Sequence, residues 1–112
     1  MFSKTILFHL FILLPFFFQS QCGDRYQDEL FSSVSVSTVN YSNVYNDFRH
    51  EMDIYIPDND TVINRPVIVY MHGGAFTSGS KNSTDCVDFC NYFAKRGYVA
   101  ISSNYRLSTN PI

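Results

Sequence analysis

Apolar and polar positions along this chain fall into blocks with different periods. Ile6–Phe18 (ILFHLFILLPFFF) is apolar on every side, interrupted only by His9 and Pro15. Phe31–Tyr41 (FSSVSVSTVNY) alternates and predicts an early edge strand, with Val34, Val36 and Val39 turned one way. Val44–Asn46 reads as a turn. Phe48–Ile56 (FRHEMDIYI) has a cleaner period of two. It predicts a half-buried antiparallel strand. Phe48, His50, Met52, Ile54 and Ile56 share its apolar face, and Arg49, Glu51, Asp53 and Tyr55 share the other. Pro57-Asp58-Asn59-Asp60 ends that strand with turn chemistry.

The next blocks lose the alternation. Val67–Met71 (VIVYM) is apolar on both faces, the pattern of a strand covered on both sides in a parallel sheet. Pro66 stands at its start, where a missing N–H is tolerated. Asn82 or Ser83 can cap a helix that runs to about Arg96, with Cys86, Phe89, Cys90, Phe93 and Ala94 as its buried stripe. Asp85 near its start and Lys95 and Arg96 near its end suit the helix dipole, and Gly97 stops it. Tyr98–Ser102 (YVAIS) predicts a second short buried strand.

The order is therefore strand, strand, loop, helix, strand. The first connection is hairpin-like and the second is a βαβ crossover, which implies parallel strands. The class is α/β: antiparallel edge strands followed by a βαβ unit. One helix cannot cover both faces of a parallel sheet, so the sheet reads as started and incomplete.

Composition refines this picture at the N-terminus. The Ile6–Phe18 run is too short to cross a bilayer as a helix, which takes roughly 20 residues. With Lys4 before it and small residues after it, Met1–Cys22 has the layout of a secretory signal peptide. Cleavage after Cys22 puts Ser20 and Cys22 in the small-residue positions, and cleavage after Ser20 is a second option. The expected destination is outside the cell or the periplasm. Lipid attachment at Cys22 is disfavoured, because Gln19-Ser20-Gln21 matches a lipoprotein signal poorly. Residues 23–112 then form the mature part.

The whole chain has 112 residues, a net charge of −2 and 16% charged residues. That excludes a polybasic nucleic-acid surface or a basic membrane patch. Cys86 and Cys90 lie four apart on the predicted helix, too far for a ready disulfide, and read as small apolar core residues. Asn40-Tyr41-Ser42, Asn59-Asp60-Thr61 and Asn82-Ser83-Thr84 are glycosylation acceptors only in a eukaryotic secretory pathway.

The chemistry sits after VIVYM, in His72-Gly73-Gly74-Ala75-Phe76. Acyl transfer passes through a tetrahedral intermediate whose oxyanion needs fixed N–H donors. Glycine suits that task because no Cβ blocks the approach to its backbone. Gly73, Gly74 and the N–H of Ala75 are the candidate donors. His72 is expected to support the loop by hydrogen bonds, and Phe76 to wall the substrate pocket. An ordinary glycine turn explains His-Gly-Gly alone equally well. The preceding buried strand and the following capped helix shift the balance toward an oxyanion hole. His50, on the apolar face of its strand, is expected to have a local partner and no catalytic part.

The stretch Met52–Leu107 resembles the N-terminal part of α/β-hydrolase carboxylesterases of the hormone-sensitive-lipase and type-B-like groups, as found in secreted bacterial esterases. The resemblance rests on Met52-Asp53-Ile54-Tyr55, Arg65–Phe76, Gly79-Ser80-Lys81, Phe93–Val99 and Asn104–Leu107. It implies a serine hydrolase with a Ser-Asp/Glu-His triad, an HGGG-type oxyanion loop, a small-molecule ester substrate, and no metal or organic cofactor. The third glycine of that loop is Ala75 here, which keeps its N–H and narrows the pocket by a methyl. Arg106 is expected to hold neighbouring loops together.

One departure is large. No Gly-x-Ser-x-Gly occurs in the 112 residues. In this fold nucleophile, acid and base all follow the oxyanion loop, so all three are expected beyond Ile112. The chain as given is expected to be an inactive N-terminal fragment of a secreted serine carboxylesterase. The alternatives are an esterase-like binding or adhesion protein that has lost its triad, or a small secreted protein of another function.

Overall fold

A computed structural model of the chain describes residues 23–109. The signal peptide expected over residues 1–22 lies outside the described residues. Among the described residues no helix is long and apolar enough to cross a membrane.

Four strands and one main helix form the fold: β1 (Val34–Asn40), β2 (Glu51–Pro57), β3 (Val67–Met71), α1 (Thr84–Ala94) and β4 (Val99–Ser103). They build one mixed sheet in the order β1-β2-β4-β3. β1 pairs antiparallel with β2, from Val34 opposite Pro57 to Asn40 opposite Glu51. β4 lies between β2 and β3, antiparallel to the first and parallel to the second. The expected hairpin-like pair and βαβ unit are both present, and β1 is an edge strand as its pattern predicts. The antiparallel seam between β2 and β4 joins them into one sheet.

α1 packs on one face of this sheet through small residues. Cys90 and Ala94 of the helix meet Tyr55 of β2 and Ala100 of β4 in one buried cluster, with Val34, Tyr70, Phe89 and Phe93 packed around it. Small side chains at the contact let the helix axis come close to the strands. Cys86 and Cys90 are buried free thiols, as their spacing predicts. Beyond Ala94 the chain turns through hydrogen bonds from Gly97 N–H to Ala94 O (2.9 Å) and from Tyr98 N–H to Phe93 O (3.3 Å). That pair is a Schellman turn, and Gly97 takes its left-handed position at φ +95°. Lys95 and Arg96 fall just past the last regular turn.

Two facing assignments differ from the alternation reading. Phe48–His50 is a 3-10 turn, with the Asp47 side chain accepting from Arg49 N–H, so the strand starts only at Glu51. Within β2 the covered face is Asp53, Tyr55 and Pro57, while Ile56 on the other face is exposed. α1 lies over the Tyr55 side, and the charge of Asp53 is neutralised there by Lys81 at 2.7 Å. In β1, Val39 is out of phase with Val34 and Val36, since residues an odd number apart face opposite ways.

β3 is covered on one face only among the described residues. Ile68 and Tyr70 are partly buried, while Val67, Val69 and Met71 are 56–61% exposed. With Ile56 and the partly buried Met52, Ile54, Val99 and Ile101, these residues make one apolar sheet face opposite α1.

The polar segment before β1 is also tied down. Tyr26 N–H donates to Arg96 O, and Leu30 and Phe31 N–H both donate to Lys95 O, each at 3.0 Å. Arg25 and Arg65 both pair with Asp60. Burial is the largest influence on Asp60 and works against its ionisation, yet the hydrogen bonds from Arg25 and the Val62 N–H, with the charges of Arg25 and Arg65, together outweigh it and hold the carboxyl below its ordinary range.

Candidate active site

Because β3 and β4 are parallel, with Met71 opposite Ser103, the chain leaves both strands at the same edge of the sheet. The segments that follow, residues 72–81 and 104–108, therefore meet. In open α/β sheets this carboxyl end is where ligands bind.

His72 is the first residue off β3 and is 3% exposed. Its Nδ1 stands 2.7 Å from Gly73 O. A carbonyl only accepts, so Nδ1 carries the hydrogen. The ring stacks on Tyr105 with centroids 4.3 Å apart and planes 12° from parallel. Tyr105 OH donates back to His72 O at 2.7 Å. Nε2 is buried without a partner among the described residues. His72 is thus tied to the loop through Gly73 O and to the segment after β4 through Tyr105, and neither ring nitrogen is open to a reacting group among the described residues.

The turn after His72 needs unusual backbone. Gly74 has φ +123°, and a Cβ there would lie 2.1 Å from Ser78 O, so only glycine fits. Ala75 and Phe76 follow at φ +50° and +61°, both left-handed without being glycine. Gly74 O accepts from Thr77 N–H at 2.9 Å, Ser78 N–H at 3.2 Å and Thr77 Oγ1 at 2.9 Å. Phe76 O accepts from Ser108 N–H at 2.7 Å, which ties the turn to the segment after β4. The N–H groups of Gly73, Gly74 and Ala75 have no acceptor among the described residues, and all three residues are exposed. Backbone strain of this kind clusters where a loop's shape serves a function.

The far end of the loop is fixed by Lys81. Its N–H donates to Asn104 Oδ1 at 2.6 Å, and its carbonyl accepts from Ser102 Oγ at 2.8 Å. Its Nζ reaches Asp53 Oδ1 at 2.7 Å, and Thr38 Oγ1 donates to the same oxygen at 2.6 Å. Asn104, fully buried, also donates through Nδ2 to Phe48 O at 2.7 Å and accepts from Tyr41 OH at 3.0 Å.

Met71, His72, Phe76, Tyr105 and Arg106 line an open cleft of about 460 Å³. Phe76 is 69% exposed and meets Tyr105 edge-on at 5.8 Å, so it stands in the wall of this cleft. Arg106 is exposed on the cleft and makes no hydrogen bond among the described residues. The two residues before it, Asn104 and Tyr105, bridge the loops here, to Lys81 and Phe48 and to His72 respectively. His50 has the local partner expected of it, with Nδ1 2.8 Å from Asp47 Oδ1 and the ring stacked on Tyr45. The hydrogen bond from His50 holds the Asp47 carboxyl below its ordinary range. Among the described residues no three His, Cys, Asp or Glu side chains converge to hold a metal ion.

The pattern around VIVYM-His-Gly-Gly located the loop. It missed Tyr105 as the partner of His72, and Gly79 and Thr77 as residues that shape the turn. The one available signal was Gly79 itself, an unexplained glycine just before Ser80-Lys81.

Among solved structures the chain is similar to esterase B from Lactobacillus rhamnosis (HN001), at 23% identity and a TM-score of 0.60 over 93% of this chain and 31% of that one. It is also similar to the same esterase inhibited by a C4-C4 tributyrin phosphonate, at 22% identity and a TM-score of 0.60 over 96% of this chain and 34% of that one. At this identity the likeness carries the fold, and the chain spans about a third of the length of these esterases. The fold is thus α/β-hydrolase, with this chain matching part of its sheet. The BD-FAE family model matches residues 52–112, the stretch that runs from the second residue of β2 through β3, the loop, α1 and β4. The chain belongs to the BD-FAE family of esterase- and lipase-type α/β-hydrolases.

Proposed function

We propose that residues 23–112 form the N-terminal portion of a secreted serine carboxylic-ester hydrolase, with residues 1–22 as its cleaved signal peptide. In this reading the N–H groups of Gly73, Gly74 and Ala75 stabilise the oxyanion of an ester's tetrahedral intermediate. His72 braces the loop, and Phe76 walls the substrate cleft. Nucleophile, acid and base follow in sequence beyond Ile112, so the 112 residues supply the oxyanion loop and not the triad. The substrate is a small-molecule ester.

The observation that carries this reading is the set of adjacent N–H groups without acceptors, exposed at the carboxyl end of β3. A turn that served only to connect β3 to α1 would have no reason to hold three left-handed or near-left-handed residues in a row. Membership of an esterase-type family supports the chemistry assigned to it. The test is Gly74→Val in the protein that carries the triad, assayed on a short-chain ester. Valine keeps the N–H, but its Cβ would fall 2.1 Å from Ser78 O, so the turn must shift and the donors lose their aim; loss of one hole donor lowers kcat by roughly 100–1000-fold. Turnover within a few-fold of the parent would remove these N–H groups from the mechanism.

A further inference from the structure

The aim of a backbone N–H can be controlled from the other side of its own peptide. In a trans peptide the N–H of one residue points opposite to the C=O of the residue before it. No cis peptide occurs among the described residues. Whatever holds the Gly73 carbonyl therefore aims the N–H of Gly74, and whatever holds the Gly74 carbonyl aims the N–H of Ala75.

Two side chains perform these tasks. His72 Nδ1–H holds Gly73 O at 2.7 Å, and Thr77 Oγ1 holds Gly74 O at 2.9 Å beside the Thr77 N–H. A third residue makes the first contact possible. Gly79 sits at φ +98°, and a Cβ there would lie 2.4 Å from His72 Nδ1 and 2.5 Å from Gly73 O. Those are the two atoms of that hydrogen bond. The loop cannot retreat from such a clash, because Lys81, two residues on, is pinned through its N–H, its C=O and its Nζ.

We propose that Gly79 and Thr77 are positioning residues of the oxyanion loop: Gly79 leaves the room in which His72 holds the Gly73 carbonyl, Thr77 holds the Gly74 carbonyl, and together they aim the N–H groups of Gly74 and Ala75. This rests on the oxyanion reading of the loop, but its test reads geometry and not turnover. A failed esterase assay would leave its result standing, and the reverse also holds.

The experiment is nuclear magnetic resonance on the 112-residue chain, labelled with nitrogen-15 and carbon-13. The parent is expected to show His72 as the Nδ1–H tautomer, with a hydrogen-bonded Nδ1 proton. Gly79→Ala is expected to lose that proton signal and shift the Gly74 amide, while the β4 amides stay in place. Thr77→Val is expected to shift the Ala75 amide and leave the His72 ring unchanged, and Thr77→Ser to restore the parent position. Thr77 is exposed, so this arm decides the question if Gly79→Ala does not fold. An unchanged His72 ring and Gly74 amide in folded Gly79→Ala would overturn the proposal. So would an unmoved Ala75 amide in Thr77→Val.

Discussion

Lys81 Nζ lies 2.7 Å from Asp53 Oδ1, and both side chains are almost fully buried beside the sheet end that bears the loop. The pair joins a residue of β2 to the last residue of the loop, and Thr38, Asn82 and Asn104 satisfy further polar atoms around it. Removing one partner from a buried ion pair leaves the other charge desolvated, at a cost of about 3–5 kcal/mol. Lys81→Met is expected to lower stability by that amount, a large share of the roughly 5–15 kcal/mol that holds a typical domain together. Asp53→Leu combined with Lys81→Met is expected to recover most of the loss. Urea titration of the three proteins checks both statements. Equal losses in the single and double variants would mean that the pair's packing matters and its charge balance does not.

Alkaline pH should act through the core. Burial, the main cause in both cases, pushes the Tyr55 hydroxyl up to about 12 and the Cys90 thiol up to about 12. Both groups ionise earlier in the unfolded chain, so above about pH 9–10 the unfolded state binds fewer protons than the native state. Stability is full below that range and falls as pH rises toward 12. Cys90→Ala is expected to flatten the part of this fall that starts near pH 9. Denaturant midpoints measured from pH 7 to 11 check the sign and the slope.

The same burial predicts thiol chemistry. Native Cys86 and Cys90 are both 0% exposed. At pH 8 they are expected to resist iodoacetamide in buffer and to react fully in denaturant, read by peptide mass. Rapid labelling of Cys90 in the native protein would contradict its place between α1 and the sheet.

Ala75 is expected to be a net cost to the fold. A left-handed backbone costs a residue with a Cβ roughly 1–2 kcal/mol, and glycine's extra unfolded-state freedom offsets roughly 0.5–1 kcal/mol of any relief. Ala75→Gly should therefore stabilise by about 0.5–1 kcal/mol. Thermal unfolding checks this. A lower midpoint would mean that the Ala75 methyl makes a contact worth more than the strain.

What the sequence revealed and what it hid have a common cause. The runs VIVYM and YVAIS, the stripe from Cys86 to Ala94 and the stop at Gly97 were legible because each depends on a local period or on one residue's backbone freedom. In β2 the alternation correctly grouped Asp53 with Tyr55 and Ile54 with Ile56. It could not say which group α1 would cover, because Lys81, which makes Asp53 tolerable inside, lies 28 residues away. The loop after β3 was legible as His-Gly-Gly after a buried strand. Its bracing by Tyr105 and Asn104 was not, since those contacts exist only once β3 and β4 lie parallel.

The proposed role of residues 72–76 as the oxyanion loop of a serine esterase requires a triad later in the same protein. Sequencing the transcript past the codon for Ile112 tests it most directly. The account predicts an open frame of roughly one more domain's length carrying Gly-x-Ser-x-Gly, then Asp or Glu, then His. A stop codon directly after Ile112, or a continuing frame without the serine motif, would contradict it.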